Sequence, residues 1–155
     1  MQIYLIRKMY RHPNMVTLKG INSFEDTEIL TLPANTKYLV LEGNNIKSFK
    51  GVEYLPEGLL VLNLKRNQIE SFEDAEDLPQ TLEVLYLDNN KFTSFEDSKR
   101  IPRGIKKLHM CNNNIDTHEG SVGLPQELED FKIDGNPFYE SYVTDYNNVV
   151  ENLTF

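Results

Sequence analysis

The sequence predicts an α/β repeat protein in which every repeat adds one strand to a parallel sheet and returns through a short helical or irregular segment. Two landmarks carry this prediction: a Leu-Pro pair, once replaced by Ile-Pro, and an asparagine, each recurring every 23 residues with apolar residues between them. The pairs begin at Leu32, Leu55, Leu78, Ile101 and Leu124, and the asparagines are Asn44, Asn67, Asn90, Asn113 and Asn136. Two landmarks that stay in phase over five cycles indicate a repeat architecture.

The centre of each unit has the alternation of a strand. In LPEGLLVLNLKRN, Leu62 and Leu64 point to one side of the strand and Asn63 and Lys65 to the other. One strand cannot bury its leucine pair alone, but stacked copies form a continuous core. The asparagine that follows the strand has an amide that can satisfy backbone groups of the neighbouring turn. We therefore predict that the five asparagines are structural and form a ladder.

The full unit, LPxxLxxLxLxxNxIxSF, resembles the leucine-rich repeat, whose core is LxxLxLxxNxL. One unit supplies that core as Leu59, Leu62, Leu64, Asn67 and Ile69, and the first unit departs from it once, with Thr36 in place of the leading leucine. The resemblance implies a right-handed solenoid with a concave parallel sheet and an irregular or short-helical convex side. It implies little about function.

The convex side is predicted from a third recurring feature, the sequence SF followed by acidic residues. Phe49, Phe72 and Phe95 recur in phase and should fill the core beneath each return segment, while His118 takes that position in the fourth unit. We predict that His118 is partly buried by packing rather than a ligand. The acidic residues after each phenylalanine should lie near the start of a short helix, where backbone N–H groups favour negative charge.

Both ends of a repeat array require caps, because end repeats would otherwise expose the core. Residues 1–31 are predicted to form a β cap and a degenerate repeat marked by Ile21 and Phe24, with IYLIRKM and MVTLKGI as a hairpin or two irregular strands. Residues 32–136 hold five repeats. Residues 137–155 have helical apolar spacing and resemble the helical cap of intracellular leucine-rich repeats. A single domain thus spans residues 1–155.

Composition predicts the cellular setting. The one cysteine, Cys111, allows no intramolecular disulfide, no run of 18 apolar residues is present, and the amino terminus lacks a signal-peptide pattern. These features predict a soluble, cytoplasmic protein without a membrane partner. Frequent asparagine, lysine and isoleucine point to an AT-rich genome such as that of some viruses or phages. For a viral protein the expected location is the host cytoplasm or the virion.

The predicted inner face of the sheet is the candidate binding surface. A net charge of −8 argues against nucleic-acid binding, which needs a basic footprint. Tyr38, Val61 and Val84 fall in line on a face that should be mostly polar, and such exposed apolar residues indicate a binding patch. The alternative is that valines simply suit strands. The predicted contact residues are Tyr38, Val40, Val61, Asn63, Lys65, Arg66, Val84, Tyr86, Asp88, Lys107, His109 and Lys132.

A catalytic function is not expected. His109 and Cys111 lie two residues apart on one predicted strand, so their side chains run roughly parallel instead of meeting as a nucleophile and its base. The sequence has no set of four zinc ligands at metal spacing and no Gly-rich phosphate loop, HExxH or GxSxG motif. We predict a protein without enzymatic activity and without a cofactor.

Two functions fit these predictions. In the first, the chain is an interaction module that binds a partner protein through the concave sheet. In the second, it is a structural component of a large assembly such as a virion, packed through its convex face and caps. The chain would be a monomer or one member of a hetero-assembly, and the sequence does not name the partner.

Overall fold

The protein is a stack of six repeats, each contributing one strand to a single parallel sheet. The computed structural model describes residues 13–138. The strands are β1 (Met15–Thr17), β2 (Tyr38–Val40), β3 (Val61–Asn63), β4 (Val84–Tyr86), β5 (Lys107–His109) and β6 (Asp130–Lys132), in that spatial order. Each residue pairs with the one 23 positions later, as Leu39 does with Leu62. The predicted solenoid with a parallel sheet is confirmed.

The opposite side of each repeat is a short return segment. The first contains a four-residue helix, α1 (Thr27–Leu30). The next four contain 3-10 helices of three residues each: Val52–Tyr54, Ala75–Asp77, Ser98–Arg100 and Ser121–Gly123. The predicted irregular or short-helical convex side is therefore correct.

The core lies between the sheet and the return segments. The predicted inward leucines, such as Leu62 and Leu64, are fully buried. Phe49, Phe72 and Phe95 fill the space beneath the return segments, as predicted, and the rings of Phe49 and Phe72 stack with centroids 6.3 Å apart. Stacked copies bury side chains that no single repeat could bury alone.

The five landmark asparagines form the predicted ladder. In the central repeat, Asn90 Oδ1 accepts a hydrogen bond from the backbone N–H of Ile69 at 3.0 Å. Its Nδ2 donates to the carbonyl oxygens of Leu64 at 2.9 Å and Leu87 at 3.0 Å. All five asparagines are buried and make equivalent bonds, so each satisfies backbone groups of its own repeat and of the preceding one.

Strands β2 to β6 each leave the sheet through a residue with left-handed backbone conformation. The residues at this position are Gly43, Arg66, Asn89, Asn112 and Gly135, with φ between 53° and 71°. The N–H of each of the first four bonds to a carbonyl of the next repeat, as Arg66 does to Asp88 at 2.9 Å. Glycine adopts this conformation without strain and asparagine with little, whereas arginine is uncommon there.

The first repeat has a shorter turn and a longer return segment than the others, and the two differences in length cancel. Met15–Thr17 lies in the parallel sheet in register with Tyr38–Val40, so the MVT run is a repeat strand and not an arm of a hairpin within the described residues. The turn after β1 is two residues shorter than its counterparts, and the return segment carrying α1 is two residues longer. Ile21 and Phe24 are buried, as the degenerate repeat requires. The first predicted strand, IYLIRKM, lies outside the described residues.

The core is less closed towards the last described repeat. The His118 side chain is exposed, so the prediction that it is partly buried is wrong, although its ring lies 5.9 Å from that of Phe138. Histidine is more polar than the phenylalanine of the earlier repeats, which reduces the gain from burial at this position. Phe131 is 38% exposed and Val122 is 95% exposed. Most of the predicted C-terminal cap lies outside the described residues.

Candidate functional site

The outward side chains of the strands form two columns that cross the sheet. The first column consists of Met15, Tyr38, Val61, Val84, Lys107 and Asp130. The second consists of Thr17, Val40, Asn63, Tyr86, His109 and Lys132. Lys19, Glu42, Lys65, Asp88, Cys111 and Asp134 follow at the strand ends and form a third column. We call these three columns together the inner face.

The first column changes character along the sheet. Its first four members are apolar or aromatic and stand side by side in register, and its last two are a charged pair. Met15 is 38% exposed, and Tyr38, Val61 and Val84 are half-buried. The apolar line predicted from the sequence is thus continuous over four strands, one strand longer than predicted.

Tyr86 occupies the middle of the inner face and is held from two sides. The Nζ of Lys65 lies 4.7 Å from the centroid of its ring, a distance at which a cation is attracted to the face of an aromatic ring. The ring of His109 meets it edge-on with centroids 5.1 Å apart. These contacts orient the tyrosine without burying it completely.

Two carboxylates anchor the residues that hold Tyr86. Asp88 is buried; it accepts the backbone N–H of Cys111 at 2.8 Å and pairs with Lys65 Nζ at 2.8 Å, and this hydrogen bond raises the pKa of Lys65. Asp130 pairs with Lys107 Nζ at 2.9 Å and with His109 Nε2 at 3.0 Å. The hydrogen bonds from Lys107 and then from His109 lower the pKa of Asp130 to about 2.

The charges of the inner face nearly balance. Its cationic residues, with the adjoining turn residue Arg66 included, number five, and its anionic residues number four. The cations are Lys19, Lys65, Arg66, Lys107 and Lys132, and the anions are Glu42, Asp88, Asp130 and Asp134. The net charge of this surface is therefore +1 on a chain of net charge −8, so the acidic excess lies elsewhere.

An open polar depression of about 480 Å³ lies where the strands end. Lys65, Arg66 and Asp88 line one part of it, and His109, Cys111 and Lys132 another. It is wide and shallow, unlike the enclosed apolar clefts that hold small molecules.

Cys111 and His109 are directed to different partners. The Sγ of Cys111 lies 3.7 Å from Asp134 Oδ2, whereas His109 bonds to Asp130. Burial, and then the charge of Asp88, raises the pKa of Cys111 to about 11, so its thiol is protonated at neutral pH. A nucleophilic cysteine needs the opposite shift. Between residues 13 and 138 no group of three or more His, Cys, Asp or Glu side chains is placed to hold a metal ion.

The structure places all twelve predicted contact residues on the inner face or on the turn beside it. Asp88 and His109 are buried there and act by orienting Lys65 and Tyr86, while Arg66 lies in the turn, exposed and 3.7 Å from Glu42. Sequence reasoning missed Met15 and Thr17, although each lies 23 residues before a residue of the predicted face. It also left Asp130 out of the contact set.

The 23-residue repeat and the parallel sheet together give the chain the fold of leucine-rich-repeat proteins. The family model for the leucine-rich repeat matches residues 81–102. A comparison with curated protein sequences finds no significant match. Proteins of this family are generally protein-interaction scaffolds. None of the helices between residues 13 and 138 is long and apolar enough to cross a membrane.

Solved structures with the same fold include an internalin from Listeria monocytogenes, TLR13 in a complex with ssRNA13, and a pollen receptor kinase 3. The internalin superposes with a TM-score of 0.55 at 23% identity over 68% of this chain and 31% of its own. TLR13 superposes with a TM-score of 0.54 at 24% identity, over 79% of this chain and 22% of its own. The receptor kinase superposes with a TM-score of 0.52 at 19% identity, over 81% of this chain and 74% of its own. The chain thus spans less than a third of the first two proteins, and the likeness concerns the fold alone.

Proposed function

We propose that the chain binds a partner protein through its inner face. The observation that carries this proposal is the line of Met15, Tyr38, Val61 and Val84, which stands in register across four strands. A solvated sheet face has little reason to align four large apolar side chains, and exposed apolar patches on proteins mark sites of interaction.

The central tyrosine supports the same proposal. Tyrosine and arginine dominate binding energy at many interfaces because they offer large contact area and directed hydrogen bonds. Tyr86 is already oriented by Lys65 and His109, so that little side-chain freedom would be lost on binding. Arg66 lies in the turn after the neighbouring strand β3, with 72% of its side chain exposed and its guanidinium directed to Glu42.

Electrostatics also favour this face. The carboxylates of the return segments, such as Glu73 and Asp77, are exposed, and solvated charges contribute little binding energy by themselves. On the inner face every anion except Asp134 has a basic partner within 4 Å, so a ligand there meets a nearly neutral surface.

Alanine substitution tests the proposal once a partner has been captured from the native host and identified by mass spectrometry. Tyr86→Ala or Arg66→Ala should weaken binding by at least about 1 kcal/mol in titration calorimetry, with an unchanged far-UV spectrum. The matched control is the pair of charge reversals Glu73→Lys and Asp74→Lys on the convex side. If these reversals abolished binding and the inner-face changes did not, the partner would dock on the convex side, as in a component of a larger assembly.

A further inference from the structure

We propose that the occupant of the inner face is a single amphipathic α-helix of the partner, lying across the strands along the first column. This inference rests on the proposed function and adds the secondary structure, direction and apolar pattern of the partner segment. It follows from the spacing of Met15, Tyr38, Val61 and Val84.

The spacing of the column matches the pitch of a helix. Adjacent strands lie roughly 4.8 Å apart, so the four side chains repeat at about that distance. An α-helix presents one side chain to the same face about every 5.4 Å, at positions i, i+3 or i+4, and i+7. The mismatch is about 0.6 Å per step and accumulates to about 2 Å over three steps, which side-chain rotamers can absorb.

An extended segment fits the column poorly. Its side chains on one face repeat roughly every 6.7 Å, so the mismatch is about 2 Å per step and reaches about 6 Å over three steps. A polyproline segment repeats every three residues, about 9 Å, so it would meet only every second strand of the column. Only the helical repeat stays in phase with all four strands.

The outline of the face agrees with one helix. Each strand has three residues, which makes the sheet roughly 10 Å wide, close to the diameter of a helix with its side chains. Six strands extend about 24 Å, the length of about 16 helical residues. One helix of four turns would cover the face, and two would not fit side by side.

The flanks of the column set the polar pattern of the helix. Glu83 and Lys106 pair at 3.6 Å on the side where the strands begin, and Lys65 and Asp88 pair on the side where they end. An apolar stripe bordered by polar residues of both signs would therefore complement the inner face. A strongly charged helix would not, because the face is nearly neutral.

Selection from two displayed libraries tests this proposal with the full chain as bait. One library carries helices of about 16 residues, randomised on one face, on a rigid helical hairpin. The other carries unstructured peptides of the same length on the same carrier. Clones are then titrated against wild-type protein, Val84→Glu, the milder Val84→Thr, and the control Glu73→Lys, and the melting temperature of each variant verifies folding.

We expect helical clones to be enriched, with apolar residues at i, i+3 or i+4, and i+7. Their Kd should rise at least about tenfold with Val84→Glu, less with Val84→Thr, and remain unchanged with Glu73→Lys. The helix proposal would be overturned if no helical clone were enriched, or if the Kd of the helical clones did not change with Val84→Glu. Extended clones sensitive to Val84→Glu would also overturn it, yet would leave binding at the inner face intact. Clones sensitive only to Glu73→Lys would remove both proposals.

Discussion

The side-chain amide of Asn90 bonds to the carbonyl oxygen of Leu64, a residue 26 positions earlier, at 2.9 Å. The backbone of one repeat is thus completed by a side chain of the next. Since the same bond recurs at the other four asparagines, neighbouring repeats depend on each other for polar groups as well as for apolar burial.

Removal of this link should destabilise the stack. Asn90→Ala leaves the Ile69 N–H and two carbonyls without a side-chain partner in a buried place, so the free energy of unfolding should fall by about 1–3 kcal/mol in urea titration. Asn114→Ala is the matched control, because that side chain is exposed, and its effect should stay within about 0.5 kcal/mol. Asn63 is a poorer control than its outward position predicts, since its Oδ1 accepts the Lys65 N–H. Equal losses for Asn90 and Asn114 would contradict the ladder.

The convex turns offer a stabilising change. Asp74 has φ 63° at the position where Gly51 and Gly120 stand in other repeats. Asp74→Gly removes the strain of a left-handed non-glycine residue, and the free energy of unfolding should rise by up to about 1 kcal/mol. Asp77→Gly, in the adjoining 3-10 helix, should lower it by about 0.5–1 kcal/mol. Destabilisation by both would show that the strain at Asp74 is negligible.

The reverse change should be harmful at Gly120. A Cβ placed there would overlap the carbonyl of Phe95 in the preceding repeat, and the residue has φ 79°. Gly120→Ala should therefore lower the melting temperature clearly, whereas Gly104→Ala, where the nearest atom lies 3.7 Å away, should not. Thermal denaturation followed by circular dichroism measures both.

Cys111 should react slowly with alkylating reagents. With a pKa of about 11 in place of 9.0, its thiolate fraction at pH 8 falls by about 100-fold, and iodoacetamide should modify the native protein correspondingly slowly. The rate should climb steadily to a midpoint near pH 11. Asp88→Asn removes one cause of the shift and should move the midpoint to lower pH. A native rate equal to that of the urea-unfolded chain would contradict this environment.

Asp130 should contribute stability that is lost in acid. Its folded pKa of about 2 lies below the unfolded value of about 3.9, so the contribution is complete above pH 4 and disappears as pH falls towards 2. The melting temperature of wild type should exceed that of Asp130→Asn at pH 5, and the difference should shrink towards zero at pH 2. Asp134→Asn, which has no salt bridge among the described residues, is the control and should show no such trend.

The core could be predicted from the sequence because one 23-residue period carries both the apolar spacing and the asparagine. Leu62, Phe72 and Asn67 lie where that period puts them. The left-handed turn was missed, although glycine and asparagine share its phase, because Arg66 interrupts the pattern. Strand β1 was predicted only as part of a hairpin or as an irregular strand, because a turn shortened by two residues breaks the landmark spacing before Leu32 and hides its regular register.

The charge network of the inner face was beyond prediction for another reason. Lys65 and Asp88 are 23 residues apart, and a periodic sequence places them on neighbouring strands. Whether their charged groups meet depends on the side-chain rotamers and on the N–H of Cys111, which donates a hydrogen bond to Asp88 and orients its carboxylate. Periodicity determines the register of two strands, but it does not determine the direction of a long side chain.

The short 3-10 helices of the return segments influence how strongly the stack of repeats curves. An α-helix is about 10 Å wide, whereas strands stand roughly 4.8 Å apart, so helices on the back would force successive repeats to fan outwards. The 3-10 helices of this chain have only three residues each, so they should force a smaller wedge angle between successive repeats than full α-helices would. We therefore expect added copies of the 23-residue unit to lengthen a gently bowed rod, and not to close it towards a horseshoe that could surround a globular domain.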